Sequence, residues 1–314
     1  MNSSRFRRSF LALLVTAAVA VPLCGATVPR VPAPRPAAID TAAGPEARYA
    51  ANRDNAVEAA RMADAHGDHK RATRLRALAD PGRRLLTFDA RGTGRAVEVH
   101  GDLTRAIRIA VLVPGSDTTL DTYERFAKGA RALHHELGPD AAVVSWLGYD
   151  TPATIGTTVL TPGRAADAAP ELRSFVGEMS RMNPGARIAA LCHSYGSVVC
   201  GRAAPGLGID DLVLYGSPGT GVDTAAALAT PARVWAGRGS DDWIAEVPYA
   251  SVELFGTAVG HGMDPVSPGY GARPFDAGDA GHSDYLRPGS TALRSIAGIV
   301  NGPARKDAKG DGRA

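Results

Sequence analysis

Cysteine is scarce in this chain, three in 314 residues, too few to staple a disulfide framework. A chain this long needs none, because one large domain of its size buries a sizeable core unaided. No basic run with interleaved aromatics is present, so nothing in the sequence points to a nucleic-acid partner. No internal repeat is visible, and the cysteines lack the neighbours of a metal site. Hydrophobic residues make up 45% and charged residues 21%, values of a folded globular protein rather than a disordered one.

The longest apolar run, Phe10 to Leu23, follows Arg5, Arg7 and Arg8 and ends in the small residues Cys24-Gly25-Ala26. This is the layout of a signal peptide over residues 1–26, cleaved near Ala26, and the run is too short for a confident membrane span. Arg7-Arg8-Ser9-Phe10-Leu11 resembles a twin-arginine export signal, with general secretion the other route. A lipidated Cys24 is the weaker alternative, since Pro22 and Leu23 depart from the small residue that lipoprotein processing resembles needing. Loss of three arginines takes the 35 basic residues to 32, equal to the 32 acidic ones. The mature chain is therefore formally neutral, and the expected location is secreted or extracytoplasmic, with no stable membrane span after cleavage. Cys192 and Cys200 remain, and two buried free thiols are expected there, with a bridge as the alternative.

Residues 27–44 are proline-rich and read as an extended linker that does not pack. Residues 45–80 carry apolar positions at Tyr49, Val57, Met62 and Leu75 and predict one or two helices. From 81 to 302 apolar runs alternate with amphipathic stretches, the pattern of an α/β domain whose mostly parallel sheet carries helices on both faces. Strands are expected at 85–88, 96–99, 107–113, 142–146, 188–191, 211–215 and 233–236. Helices are expected over 121–137, through Leu172, Phe175, Val176, Met179 and Met182, and from Ser290 to Val300. The tail, 303–314, reads as disordered.

The strand at Ile188 runs into Cys192-His193-Ser194-Tyr195-Gly196. A serine hydroxyl becomes a useful nucleophile when a sharp strand-to-helix turn projects it towards a base, and small residues two positions either side let the backbones approach. Gly196 supplies one; Cys192 stands where glycine is expected. Asp241 and Asp242 follow the strand that ends at Gly237, and His282 lies in Gly281-His282-Ser283-Asp284-Tyr285 before the last helix. Serine, aspartate and histidine are the residue types of a proton relay in which His282 takes the Ser194 proton and an aspartate orients it. Asp242 is favoured by its spacing from Gly239, and Asp241 competes. His193 abuts the serine, but on a tight turn its side chain should diverge from the hydroxyl. Backbone donors for an oxyanion are assigned to Ser116, in Val113-Pro114-Gly115-Ser116-Asp117, and to Tyr195. His193, Tyr149 and His261 are candidates for the substrate pocket, with Asp150 and Asp264 of similar standing. The stretch 243–280 is rich in glycine and proline and reads as an irregular loop bordering the pocket.

The strings VLVPGSDTT, VVSWLGYDTP, CHSYGSVVCG, LVLYGSPG and GHSDY resemble, in order, blocks of the α/β-hydrolase superfamily. Within it they are similar to an actinobacterial family long filed as a domain of unknown function. The resemblance implies the α/β-hydrolase fold and hydrolase activity, and it fixes no substrate; the elbow of that family usually opens with glycine, from which Cys192 departs. The expected activity is hydrolysis of a small-molecule or lipid-like ester through a serine acyl-enzyme, with no metal or cofactor. A peptidase or amidase on the same fold, and a noncatalytic cell-envelope binding protein, are the alternatives.

Overall fold

In the computed structural model, residues 31–38, 44–153, 163–246, 251–254 and 257–302 are described. The expected signal peptide and disordered tail lie outside them. Two helices, α1 (Pro45–Ala65) and α2 (His69–Leu78), lead into β1 (Leu85–Asp89), β2 (Arg95–His100) and β3 (Arg108–Val113). Next come α3 (Tyr123–Leu137), β4 (Ala141–Leu147), α4 (Gly163–Met182), β5 (Arg187–His193) and α5 (Gly196–Ala203). The chain continues through β6 (Asp211–Tyr215), β7 (Arg233–Gly237), β8 (Ser251–Leu254), β9 (Thr257–Gly260), β10 (Arg273–Pro274) and α6 (Thr291–Val300).

Eight strands form one sheet in the order β1-β2-β4-β3-β5-β6-β7-β10. The pairs β1–β2 and β2–β4 are antiparallel, and all pairs from β4 to β10 are parallel. Strands β3, β4 and β5 are buried along nearly their whole length, as parallel strands covered on both faces must be. One face packs on α4 and α5 through Leu172, Val176, Val198 and Val199. The other packs on α3 and α6 through Leu133, Leu293 and Ile296. Register places Val113 of β3 beside Cys192 of β5, His193 beside Tyr215, and Tyr215 beside Gly237 of β7. The loops after β3, β5 and β7 therefore leave the sheet side by side. At the opposite end the buried Asp211 carboxylate accepts from Arg187, from Arg233 at 2.8 Å and from Trp235 Nε1 at 2.9 Å, which pins the strand starts away from that edge.

Four sequence expectations change. Val57 is 55% exposed and Met62 only half-buried, because α1 turns Ala56, Ala59, Ala60 and Ala63 inward against β1 and α2. Small side chains let the helix approach closely, which a search for bulky apolar positions misses. The proline-rich segment does pack: Val31 and Ala33 lie against this same cluster, and Asn55 Nδ2 donates to Arg35 O at 2.7 Å. Stretch 243–280 is not wholly irregular, since β8 and β9 form a hairpin and β10 takes its pairing from the edge of β7.

The fourth correction concerns Cys192 and Cys200, which are bridged rather than free, with Cα atoms 6.4 Å apart. Helix α5 folds back over the strand that precedes it, so residues eight apart in sequence face each other across the turn. Closing so short a loop should contribute about 2–3 kcal/mol by restricting the unfolded chain. Cys192→Ala/Cys200→Ala is expected to lower the urea midpoint accordingly, and reductant should do the same to the native sequence but not to the double variant. Equal midpoints for native and double variant would show that the bridge carries no stability.

Candidate active site

Ser194 directly follows β5 and sits at φ 51°, a left-handed conformation that is uncommon for a residue with a side chain. Helix α5 begins two residues later. A Cβ on Gly196 would stand 2.5 Å from Val113 O and 2.7 Å from Pro114 O, so only glycine allows the turn to press this closely on the end of β3. The turn is held by Ser197 N–H donating to Ser194 O at 2.8 Å and Ser197 Oγ donating to Cys192 O at 3.1 Å. The serine is thus aimed out of the sheet edge, buried except for a small exposed fraction of 8%.

His282 reaches it from the loop before α6: Nε2 lies 2.9 Å from Ser194 Oγ, and Nδ1 lies 2.8 Å from Asp242 Oδ1. A carboxylate on one ring nitrogen sets the proton on Nδ1 and leaves Nε2 as the acceptor. Of the two candidate carboxylates, Asp242 is the one that meets the ring. Asp241 turns outward and accepts from Ser240 Oγ at 2.9 Å. Asp242 is buried, with Ile244 N–H donating to Oδ1 at 2.9 Å and Tyr285 Oη–H to Oδ2 at 2.5 Å. Gly239 N–H in turn donates to the Tyr285 oxygen at 3.1 Å. Burial works against ionisation of Asp242, but the hydrogen bonds from His282, Tyr285 and Ile244 outweigh it and hold the carboxyl below the usual range.

His193 does diverge from the serine. Its Nε2–H donates to the backbone oxygen of His282 at 2.6 Å, and the two imidazoles stand 4.8 Å apart. Burial, with the His282 ring adding to it, pushes its pKa down to about 3, so it acts as a neutral donor that fixes the backbone under His282. Tyr149, expected in the pocket, is instead buried beneath the loop after β3, where its hydroxyl donates to Pro114 O at 2.7 Å. His261 is likewise buried, edge-on to the Tyr195 ring at 5.7 Å, with its backbone oxygen accepting from Gly221 N–H. Neither lines the cleft; Tyr149 braces the loop after β3 from behind, and His261 packs on Tyr195. Asp150 is occupied by Thr93 and Arg95, and Asp264 by Arg238.

The cleft beside Ser194 has a volume of about 250 Å³. Ser116 and His193 form its floor with the serine, and Phe126, Trp243 and Leu286 give it apolar walls. A Cβ on Gly115 would lie 2.6 Å from Ser194 Cβ and 3.1 Å from its Oγ, which puts the loop after β3 directly against the nucleophile. Sequence reasoning missed Trp243, whose ring centre is 4.5 Å from that of His282, and the role of Tyr285. The signal for Tyr285 was its place three residues after the histidine. Among the described residues, no group of three or more His, Cys, Asp or Glu side chains could hold a metal ion, and no helix is long and apolar enough to cross a membrane.

An uncharacterized protein of Mycobacterium tuberculosis is 30% identical over 245 residues, which cover 67% of this chain and 37% of the relative. The chain thus spans little more than a third of that relative's length. An uncharacterized protein of Mycobacterium bovis is 29% identical over 266 residues, covering 77% of this chain and 90% of the relative. Among solved structures, an a/b serine hydrolase without lid from Xanthomonas campestris has a TM-score of 0.44 at 18% identity, covering 70% of this chain and 92% of the other. Esterase LipW of Mycobacterium marinum has a TM-score of 0.38 at 16% identity, covering 77% and 88%. Residues 89–252 match the family described as Alpha/beta hydrolase, and the chain belongs to that family.

Proposed function

We propose that this protein is a serine hydrolase that cleaves small carboxylic esters through an acyl-enzyme on Ser194. One observation carries the reading: Ser194 Oγ, His282 and Asp242 form a continuous hydrogen-bonded relay of 2.9 and 2.8 Å at the carboxyl edge of the sheet. His282 Nε2 accepts the hydroxyl proton as Oγ attacks the ester carbonyl, and Asp242 stabilises the imidazolium that forms. The same nitrogen then returns the proton to the alkoxide that leaves. Water repeats the sequence on the acyl group, its proton passing to His282 and back to Ser194. The oxyanion is assigned to Ser116 N–H, which has no acceptor among the described residues, and to Tyr195 N–H at the start of α5. The cleft is small by the standard of ligand pockets, which supports short acyl groups.

A fluorophosphonate probe should label the protein at Ser194 alone, and nitrophenyl esters should be turned over faster with short acyl chains than with long ones. Absence of labelling in folded protein rejects the assignment, and faster cleavage of amides than of matched esters transfers it to a peptidase or amidase. Export belongs to the same proposal: the apolar run after Arg5, Arg7 and Arg8 and the Cys192–Cys200 bridge both suit an oxidising compartment. Cell fractionation tests it.

Gly115→Ala probes the oxyanion loop. The new methyl meets Ser194 Cβ at 2.6 Å, so the loop must move away from the nucleophile and take the Ser116 donor with it. A fall in kcat of about 100-fold is expected, in the range for one lost oxyanion donor, with little change in fold by circular dichroism. Activity within threefold of the parent would remove this loop from the mechanism.

A further inference from the structure

The wall of the cleft formed by α3 presents Thr122, Arg125, Phe126 and Gly129. Their spacing of three, four and seven residues is that of a single helix face, so the helix sets Arg125 on the side of the cleft. Its charge is uncompensated. The acidic residues nearest it in sequence have other partners: Asp121 pairs with Arg71 and Arg74, and Glu124 with Arg83 and Arg131. Asp117, the other charged residue of the rim, is also engaged, whereas Arg125 has no ion pair or side-chain hydrogen bond among the described residues. Its charge adds, after burial and the His282 ring, to what opposes protonation of His193, which lines the same cleft. An unpaired arginine lining the same partly apolar cleft as the nucleophile is suited to an anionic group carried by the molecule that binds there.

We propose that Arg125 is a specificity-determining residue and that the preferred ester carries an anionic group, a carboxylate or phosphate, a few bonds from the scissile carbonyl. This rests on the ester-hydrolase reading of Ser194. Phe126 and Leu286 flank the path and accept the short apolar spacer between the two groups, with Leu286 packed directly over Gly129.

The test compares the mature protein on 4-nitrophenyl hydrogen glutarate, its phosphonate counterpart 4-nitrophenyl 4-phosphonobutanoate, and the neutral 4-nitrophenyl valerate. The native chain should favour the anionic esters, and added salt should weaken the preference. Arg125→Gln should reduce the anionic-to-neutral ratio of kcat/KM by about tenfold or more, the scale of one charge-assisted hydrogen bond. Arg125→Lys should fall between the two, and Arg125→Glu should reverse the preference. The larger ratio among the two anions identifies which is read. A ratio unchanged in Arg125→Gln overturns the proposal. Binding separates it from the reading on which it rests: in the Ser194→Ala background, calorimetry of monomethyl glutarate should show weaker affinity once Arg125 is Gln. If the native chain neither takes the fluorophosphonate nor turns over any ester, the hydrolase reading falls, and this binding comparison alone then upholds or overturns the anion site.

Discussion

Ser194→Ala is expected to lower kcat on a short-chain ester by about 10⁴- to 10⁶-fold, with substrate affinity little changed. The size follows from the relay acting as a unit: without Oγ there is no acyl-enzyme, and only the oxyanion donors and the cleft remain to help water attack. A loss smaller than about 100-fold, in protein freed of contaminating esterases, would show that another group is the nucleophile. Stability provides a second and independent readout. Ser194 is held at φ 51°, which costs a residue with a Cβ about 1–2 kcal/mol. Ser194→Ala keeps that strain, whereas Ser194→Gly releases it at the cost of a more flexible unfolded chain. The glycine variant should therefore be as inactive as the alanine variant yet at least as stable, a combination that a merely structural serine would not give.

The elbow was readable because its chemistry is compressed into five consecutive residues whose sizes report backbone proximity. The same holds for the parallel strands, whose unbroken apolar runs have no other comfortable environment. Legibility ended where the answer depended on side-chain direction. Asp241 and Asp242 are adjacent, and only the fold shows that the first bonds to Ser240 at the surface while the second meets His282. Tyr149 and His261 were expected in the cleft because they lie in loops near the right strand ends, but a polar tip can equally be satisfied inward. Tyr149 does so on Pro114 O, where it braces the loop that carries Ser116. The bridge between Cys192 and Cys200 was hidden for the same reason, since spacing alone does not say that a helix returns over its own strand. It also gives the departure from glycine at the elbow a local consequence: position 192 is occupied by a side chain that ties β5 to α5 on the face away from the cleft.

Asp242→Asn should cost about 10⁴-fold in kcat, and Asp241→Asn less than about twofold. The first figure depends on hydrogen-bond direction as much as on charge. Oδ1 of Asp242 faces two donors, Ile244 N–H and His282 Nδ1–H, and Oδ2 faces the Tyr285 hydroxyl, whose oxygen already accepts from Gly239 N–H. An asparagine must put its NH₂ at one of these places. At the Oδ1 position it opposes Ile244 N–H and drives the imidazole proton to Nε2, where the ring can no longer accept from Ser194. At the Oδ2 position it confronts Tyr285, which must turn its proton away and share its oxygen between two donors. Removing that hydroxyl should make the second orientation tolerable. Asp242→Asn/Tyr285→Phe is thus expected to recover about tenfold of the activity lost in Asp242→Asn, although Tyr285→Phe alone, which takes one donor from the buried carboxylate, should lower activity about tenfold. Such a reversal of sign in a double-mutant cycle is read from four kcat values. Additive losses would mean that Tyr285 does not act through Asp242, and that the protonation state of His282 is set by something other than this network.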